Sequence, residues 1–438
     1  MKTLRILTLA AAVLTLAACG NEEFIENNPG NEAAKPEFMT FTASAPQTRT
    51  LLDGLNVHWV EYDEIAIWDG SEGYQKFMVD TESINGSEAT FTGPALVPGA
   101  DYTAFYPLIA VESMDATSVN FNLPAEQTAV AGTFANQLAP SLAKATGGST
   151  DLVFNNLCAL VKFTVPAEMA GEGIFTLVGG NGTEALAGEY WVEYSTGNQS
   201  PGFERTNRVT LKGNFEAGKD YYFVVLPYQL TKGFSLLYED STGKLYRKAT
   251  DKSVTLTAGR ILNLGTLASA DFEKAVAKEI YAKLGSGTAT ENADGTVTLS
   301  DADLSALAAM TTLELPTGVV TSLPGLGYCT GLTTLKCGFN ELTELNLSGL
   351  TKLTTLWCQM NQLTTLDVSE LTQLTELWCF KNNLTALDIT QLSGLNRIYC
   401  GNQNDERELT LTLTAAQEGV WNSWSSDSDN VRVTLNVK

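Results

Sequence analysis

Leu332-Thr333-Thr334-Leu335-Lys336-Cys337-Gly338-Phe339-Asn340-Glu341-Leu342 returns as Leu353-Thr354-Thr355-Leu356-Trp357-Cys358-Gln359-Met360-Asn361-Gln362-Leu363. It returns again as Leu374-Thr375-Glu376-Leu377-Trp378-Cys379-Phe380-Lys381-Asn382-Asn383-Leu384. The interval is 21 residues each time, and Leu395, Ile398 and Cys400 keep it once more. Cys337, Cys358, Cys379 and Cys400 therefore stand in one column, and Asn340, Asn361 and Asn382 close the units. A period this short is met by stacking one small unit on the next, because a single unit cannot bury its own apolar side. Such an array presents a continuous open face, which points to binding rather than catalysis.

The pattern L-x-x-L-x-C-x-x-N-x-L resembles the leucine-rich repeat, in which each turn supplies one short strand to a curved solenoid. The frame reaches back beyond the cysteines. Asp303-Leu304-Ser305 falls in the phase of Asn346-Leu347-Ser348, Asp367-Val368-Ser369 and Asp388-Ile389-Thr390, and Leu313-Glu314-Leu315 reads as a strand without its Cys. After Cys400 the frame breaks, and Leu409 to Leu413 and Val431 to Val437 read as a capping strand pair. About five strands plus caps are expected, terminal units being atypical.

Strand alternation then assigns faces. With Leu335 and Cys337 inward, the thiols form a ladder of small apolar groups about 4.8 Å apart. In-register parallel side chains point the same way, which disfavours disulfides, and the spacing matches no zinc pattern. The outward column holds Lys336, Trp357, Trp378 and Tyr399; the next holds Gly338, Gln359, Phe380 and Gly401, with Phe339, Met360, Lys381 and Asn402 beside it. Trp357, Trp378, Tyr399 and Phe380, flanked by Lys336, Phe339 and Met360, are the candidate ligand-binding residues on the concave face. A row of exposed aromatics suits stacking against sugar rings or anchoring a protein partner. The alternative is that the rings support one another across strands, or that Trp421 and Trp424 fold over them.

The N-terminus supplies an address. Lys2 and Arg5 precede a short apolar run, Ile6 to Ala17, too short to span a bilayer. Leu16-Ala17-Ala18-Cys19 resembles a bacterial lipobox, which makes residues 1–18 a signal peptide and Cys19 the lipidated first residue of the mature chain. Acyl chains there would anchor the protein by burying methylenes in a membrane. Gly20-Asn21-Glu22-Glu23 lacks the Asp that retains some lipoproteins at an inner membrane, and is similar to surface-export signals of Bacteroidota lipoproteins. Residues 19–37 read as a polar tether. The expected location is the cell outer membrane, lipid-anchored and surface-exposed.

Composition excludes several classes. A net charge of -23 argues against nucleic acid, whose phosphates demand Lys and Arg clusters. His58 is the one histidine, so no HExxH zinc site can form; it reads as a strand residue rather than a base. Glu61, Asp63 and Glu64 read as a solvated loop instead of glycosidase carboxylates. No enzyme, cofactor or metal is expected. Thr290 to Asp301 matches a calcium loop at its third, fifth, sixth and twelfth positions, but Thr290 replaces the first carboxylate.

From 38 to 268 the chain reads as many short strands between Gly, Asp and Asn turns, among them Glu64-Ile65-Ala66-Ile67-Trp68 and a half-buried Ala159 to Val165. Asp240-Ser241-Thr242-Gly243-Lys244 reads as a hairpin turn. Arg49-Thr50-Leu51-Leu52-Asp53-Gly54, Trp59, Asp63-Glu64-Ile65, Tyr106-Pro107, Leu123-Pro124-Ala125-Glu126-Gln127, Phe154-Asn155-Asn156-Leu157 and Ala217-Gly218-Lys219-Asp220-Tyr221-Tyr222 resemble fimbrillin-like (Mfa-like) proteins of Bacteroidota. The resemblance implies a mainly β chain with two tandem transthyretin-like β-sandwich domains, here followed by a short leucine-rich-repeat solenoid. The expected divisions are sandwiches over 38–150 and 151–268, parted at Gly147-Gly148-Ser149-Thr150, a helical linker or cap over 269–300, and repeats with a C-terminal cap over 301–438. Phe272, Val276, Ile280 and Tyr281 would share one face of that helix.

These readings converge on a lipid-anchored surface adhesin or ligand-binding protein acting through the concave face. Its partner would be a host or matrix protein or a glycan, with the membrane held through Cys19. The alternative is a pilus subunit or tip component that joins other pilus subunits by strand donation, with Arg49 as the cleavage candidate.

Overall fold

Strands dominate from Phe38 to Lys438, because β-branched and aromatic residues recur between Gly, Asp and Asn turns. The structure is a computed structural model that describes residues 38–45, 58–285, 290–318, 320–421, 423 and 430–438. The expected leader and tether, with Cys19 and Arg49, lie outside the described residues. The fold is mainly β, with sheets packed face to face in sandwich fashion before the repeat region.

The first sheet has eight strands, in the order Asp151–Val153, Phe38–Ser44, Glu88–Pro94, Gln75–Val79, Glu64–Trp68, Tyr102–Tyr106, Ser141–Ala145 and Asn155–Asn156. Trp59 anchors its core. Phe91, Tyr106 and Phe154 meet the indole edge-on at 4.9, 5.1 and 5.5 Å, and Nε1 donates to the Ala43 carbonyl at 3.1 Å. Asp63 belongs to this core and not to a solvated loop. Fully buried, it accepts from Val60 N at 2.8 Å and from Tyr106 Oη at 2.9 Å, while burial pushes its pKa up. His58 is exposed and outside any strand.

The chain does not loosen at Gly147-Gly148. Both glycines take positive φ (63° and 77°) in a turn inside the first sheet, since Asp151–Val153 pairs in parallel with Phe38–Ser44. Strands also cross between residues 38–150 and 151–268. Ser118–Leu123 pairs with Ala187–Glu193, and Glu126–Val130 runs parallel to Arg208–Phe215. Ala159–Thr164 is buried on both sides: Val161 and Phe163 enter one core and Leu160 the next, leaving Lys162 to pair with Asp220 at 2.6 Å.

Asp240 to Lys244 forms the expected hairpin turn. The Asp240 carboxylate accepts from Thr242 N and Lys244 N, with Gly243 at φ 73°. The helix expected to carry Phe272, Val276, Ile280 and Tyr281 on one face, within 269–300, does not form. Glu273–Ala277 is instead a strand between Leu245–Thr250 and Thr296–Thr298, followed by a single α-helical turn, Lys278–Tyr281. Spacings of four are compatible with both periods here, and the two neighbouring strands supply ladder bonds that an isolated helix would forgo. Val276, Ile280 and Tyr281 then pack into the core of the repeats.

Asp303-Leu304-Ser305 is helical, unlike Asn346-Leu347-Ser348, whose phase it shares. It lies in the helix Asp301–Ala309, where Ser300 and Asp303 cap each other reciprocally. Within Thr290 to Asp301 the carboxylate at the fifth position is already engaged. Asp294 gives one oxygen to Arg247 Nε at 2.6 Å and the other to Thr296, so its carboxylate is spent within the protein. No group of three acidic, Cys or His side chains fit to hold a metal occurs among the described residues.

The repeats form a five-stranded parallel sheet, Thr312–Glu314, Thr334–Lys336, Thr355–Trp357, Glu376–Trp378 and Arg397–Tyr399. Leu313, Leu335, Leu356, Leu377 and Ile398 stay in register and bury fully. Ala386–Asp388, Leu409–Leu413 and Val433–Val437 make a second parallel sheet at the C-terminal end. At the other end Tyr328 Oη donates to the Leu245 carbonyl at 2.9 Å, and Lys212 meets Glu344 at 2.6 Å.

Beside that junction a cleft of about 410 Å³ holds Arg208, Glu239, Glu344 and Asn346. Burial, with Glu344 and Asp240 nearby, pushes Glu239 up to about 8. An unfolded glutamate titrates near 4.3. The native state therefore keeps a proton that the unfolded chain has released, and this contribution, complete below about pH 4.3, is lost as pH rises through about 8. Thermal unfolding midpoints of the wild type are expected to fall between pH 5 and 8 relative to those of Glu239→Gln. Parallel curves would contradict this.

Candidate functional site

The 21-residue period sets the same residue of each unit beside its equivalent, about 4.8 Å away across the parallel ladder. Inward, Cys337, Cys358, Cys379 and Cys400 are fully buried and free. Burial pushes Cys337 up to about 12 and raises Cys358, Cys379 and Cys400 as well, so these thiols are core packing without nucleophilic character.

An asparagine ladder fixes the bend after each strand. Asn361 Nδ2 donates to the carbonyls of Cys337 and Cys358, both at 3.0 Å, and its Oδ1 accepts from Leu342 N at 3.0 Å. Asn382 repeats this one unit on, bonding Cys358 O, Cys379 O and Leu363 N. Gln403 takes the place of the next asparagine. Just before each amide, Phe339, Met360, Lys381 and Asn402 adopt left-handed backbone, at φ 60°, 55°, 52° and 48°. That turn swings these side chains to the margin of the outward face, where Phe339 stays 48 % exposed.

The outward column comes together as read from the sequence. The Trp357 and Trp378 rings stack at 4.5 Å with 16° between their planes. Tyr399 stands edge-on to Trp378 at 5.1 Å, and Phe380 lies tilted at 6.5 Å. Lys336 Nζ sits 4.4 Å from the Trp357 centroid, in cation–π range. These five side chains are one cluster, with Phe339 and Met360 at its edge. Trp421 does not cover them; it is buried in the repeat core, and Trp424 lies outside the described residues.

Both faces of the Trp357 ring are occupied, one by Lys336 and one by Trp378. A pyranose ring has no free indole face to stack on there, and the cluster offers edges and polar atoms instead. Two carboxylates complete the cluster, Glu314 beside Lys336 in the outward column and Glu376 two residues before Trp378, a role the sequence reading did not assign. Glu376 accepts from Trp378 Nε1 at 2.8 Å and faces Arg397 at 3.7 Å, while Glu314 faces Lys336 at 3.7 Å. Their signal was two opposite-charge pairs on adjacent strands, Glu314 with Lys336 in one column and Glu376 with Arg397 in another.

No helix among the described residues is long and apolar enough to cross a membrane. No family model matches the sequence, and no curated protein matches it. Solved structures do. A "putative cell adhesion protein" of Bacteroides uniformis is 16% identical over 55% of this chain and 97% of its own, with a TM-score of 0.35. The tip fimbrial protein Mfa3 of Porphyromonas gingivalis, C-terminally truncated, is 11% identical over 53% of this chain and 95% of its own, with a TM-score of 0.29. The functional domain of InlJ from Listeria monocytogenes, described as including a cysteine ladder, is 22% identical over 36% of this chain and 44% of its own, at a TM-score of 0.23.

Proposed function

We propose that this protein is a lipid-anchored surface adhesin, a binding protein rather than an enzyme, which captures a protein partner on the outward face of its repeat sheet. In this reading the in-register coils are leucine-rich repeats, and fimbrillin-like sandwiches carry them away from the membrane that holds Cys19. The observation that carries it is the continuous cluster Lys336, Trp357, Trp378, Tyr399 and Phe380. Half-buried aromatics with charged neighbours are the side chains that dominate protein interfaces. The charged pairs that flank the rings, Glu314 with Lys336 and Glu376 with Arg397, match the polar rim of a protein interface and favour a protein over a glycan.

Trypsin applied to intact cells tests the placement. Fragments of the repeat region should be released, and adhesion to matrix-coated surfaces should fall with them. Full protection of the chain in intact cells, with cleavage only after lysis, would contradict surface display.

A further inference from the structure

The outward face carries two polar atoms that the protein itself leaves unanswered. Trp357 Nε1 and Gln359 Oε1 are both buried, and neither has a hydrogen-bond partner among the described residues. Buried donors and acceptors are normally satisfied, so an orphaned pair calls for a cause. The contrast with the next coil is direct. There Glu376, two residues before Trp378, accepts its indole N–H at 2.8 Å. The equivalent place before Trp357 holds Thr355, and no bond joins it to the indole.

Gln359 is also set deliberately. It is 4 % exposed and lies over Gly338, where a Cβ would come within 2.8 Å of the carboxamide. Any other residue at 338 would push the amide out of its seat. Trp357 and Gln359 lie two residues apart on the same outward face, about 6.6 Å along an extended chain. An extended peptide presents the same main-chain edge at that interval, with an N–H and a C=O in each repeat.

We propose that Trp357 Nε1–H and Gln359 Oε1 form an amide-recognising pair, which donates to a carbonyl and accepts from an N–H of an extended peptide laid across the repeat face. The inference rests on the reading of this face as the binding surface and names the chemistry of its ligand. A secondary amide also occurs in N-acetylated sugars, but those lack the N–H and C=O repeated along one edge that the spacing of Trp357 and Gln359 matches. Entry of the peptide displaces Lys336 from Trp357. Its partner Glu314 is 3.7 Å away and largely exposed, so that side chain is weakly held.

The test uses the full chain, immobilised, with two probes: a phage-displayed library of random linear peptides, and chitooligosaccharide as an amide source without a peptide chain. Peptides enriched on the wild type should bind Trp357→Phe and Gln359→Met at least about tenfold more weakly, the loss of one buried hydrogen bond. Thr355→Glu, which gives Trp357 the internal acceptor that Trp378 has, should weaken binding as much without lowering the unfolding midpoint. Phe203→Ala, on an exposed sandwich strand, should bind as the wild type does. Undiminished binding to Trp357→Phe and Gln359→Met overturns the amide pair, and so does enrichment of no peptide, or binding of the chitooligosaccharide alone. Loss with Trp357→Ala/Trp378→Ala but not with Trp357→Phe would discard the pair and keep the surface. Retention by both would discard the surface as well.

Discussion

Asn361→Ala is expected to lower the stability of the repeat region by about 2–4 kcal/mol, the sum of one orphaned buried N–H, two weakened carbonyls and a small void. Leu342 N has the Asn361 oxygen as its partner, and that bond disappears outright. The carbonyls lose less. Cys337 O keeps Asn340 Nδ2 at 3.3 Å, and Cys358 O keeps Asn382 Nδ2 at 3.0 Å. Asn361→Asp separates these terms. It keeps the acceptor but turns a donor toward two carbonyls into a buried carboxylate, so at neutral pH it should cost more than alanine. Protonation restores a donor, and because burial raises this carboxyl's pKa, the deficit should shrink as pH falls from neutrality toward the unfolded value of about 3.9. Urea unfolding of both variants, followed by tryptophan fluorescence, reads the order directly. An alanine variant as stable as the wild type would mean that the ladder is ornamental.

Replacing Trp357 and Trp378 together with alanine should reduce adhesion by about 30- to 1000-fold, because truncated interface aromatics typically cost 2–4 kcal/mol at 1.4 kcal/mol per decade. The fold should survive. The two rings stand on the outward face, and their mutual stacking is worth only about 0.5–1.5 kcal/mol beyond burial. Beads coated with wild-type or variant protein, counted after washing on matrix-coated surfaces, give the ratio. Phe203→Ala beads should adhere as the wild type does.

Much of the repeat region was legible, because one period fixes both register and face. The leucine and cysteine columns could only point inward together, so Trp357, Trp378 and Tyr399 had to point outward together. Sequence could not tell that the rings would lie face to face, which depends on rotamers and on Lys336 closing the far side of Trp357. The difference between Thr355 and Glu376 was in plain view, yet its consequence needed the distance from Glu376 to the Trp378 indole.

Elsewhere the missing information was non-local. Nothing near Gly147 says that Asp151–Val153 will pair with Phe38–Ser44, more than a hundred residues earlier. Glu273–Ala277 fitted a helical spacing and became a strand because two partner edges were waiting. Ser300 and Asp303 make a capping box that a repeat frame disguised. Asp63 looked solvated beside Glu61 and Glu64, but the Tyr106 hydroxyl, forty-three residues on, draws it into the core.

Site-specific photo-crosslinking tests the central claim most directly. A benzoylphenylalanine replacing Phe339, at the margin of the aromatic cluster, samples the repeat face. The same residue replacing Phe203 samples the exposed sandwich strand. On cells adhering to matrix, irradiation should yield a crosslinked partner from position 339, lost when Trp357 and Trp378 are alanine, and none from position 203. Adducts from position 203 with none from 339 would place adhesion on the sandwiches and contradict the account.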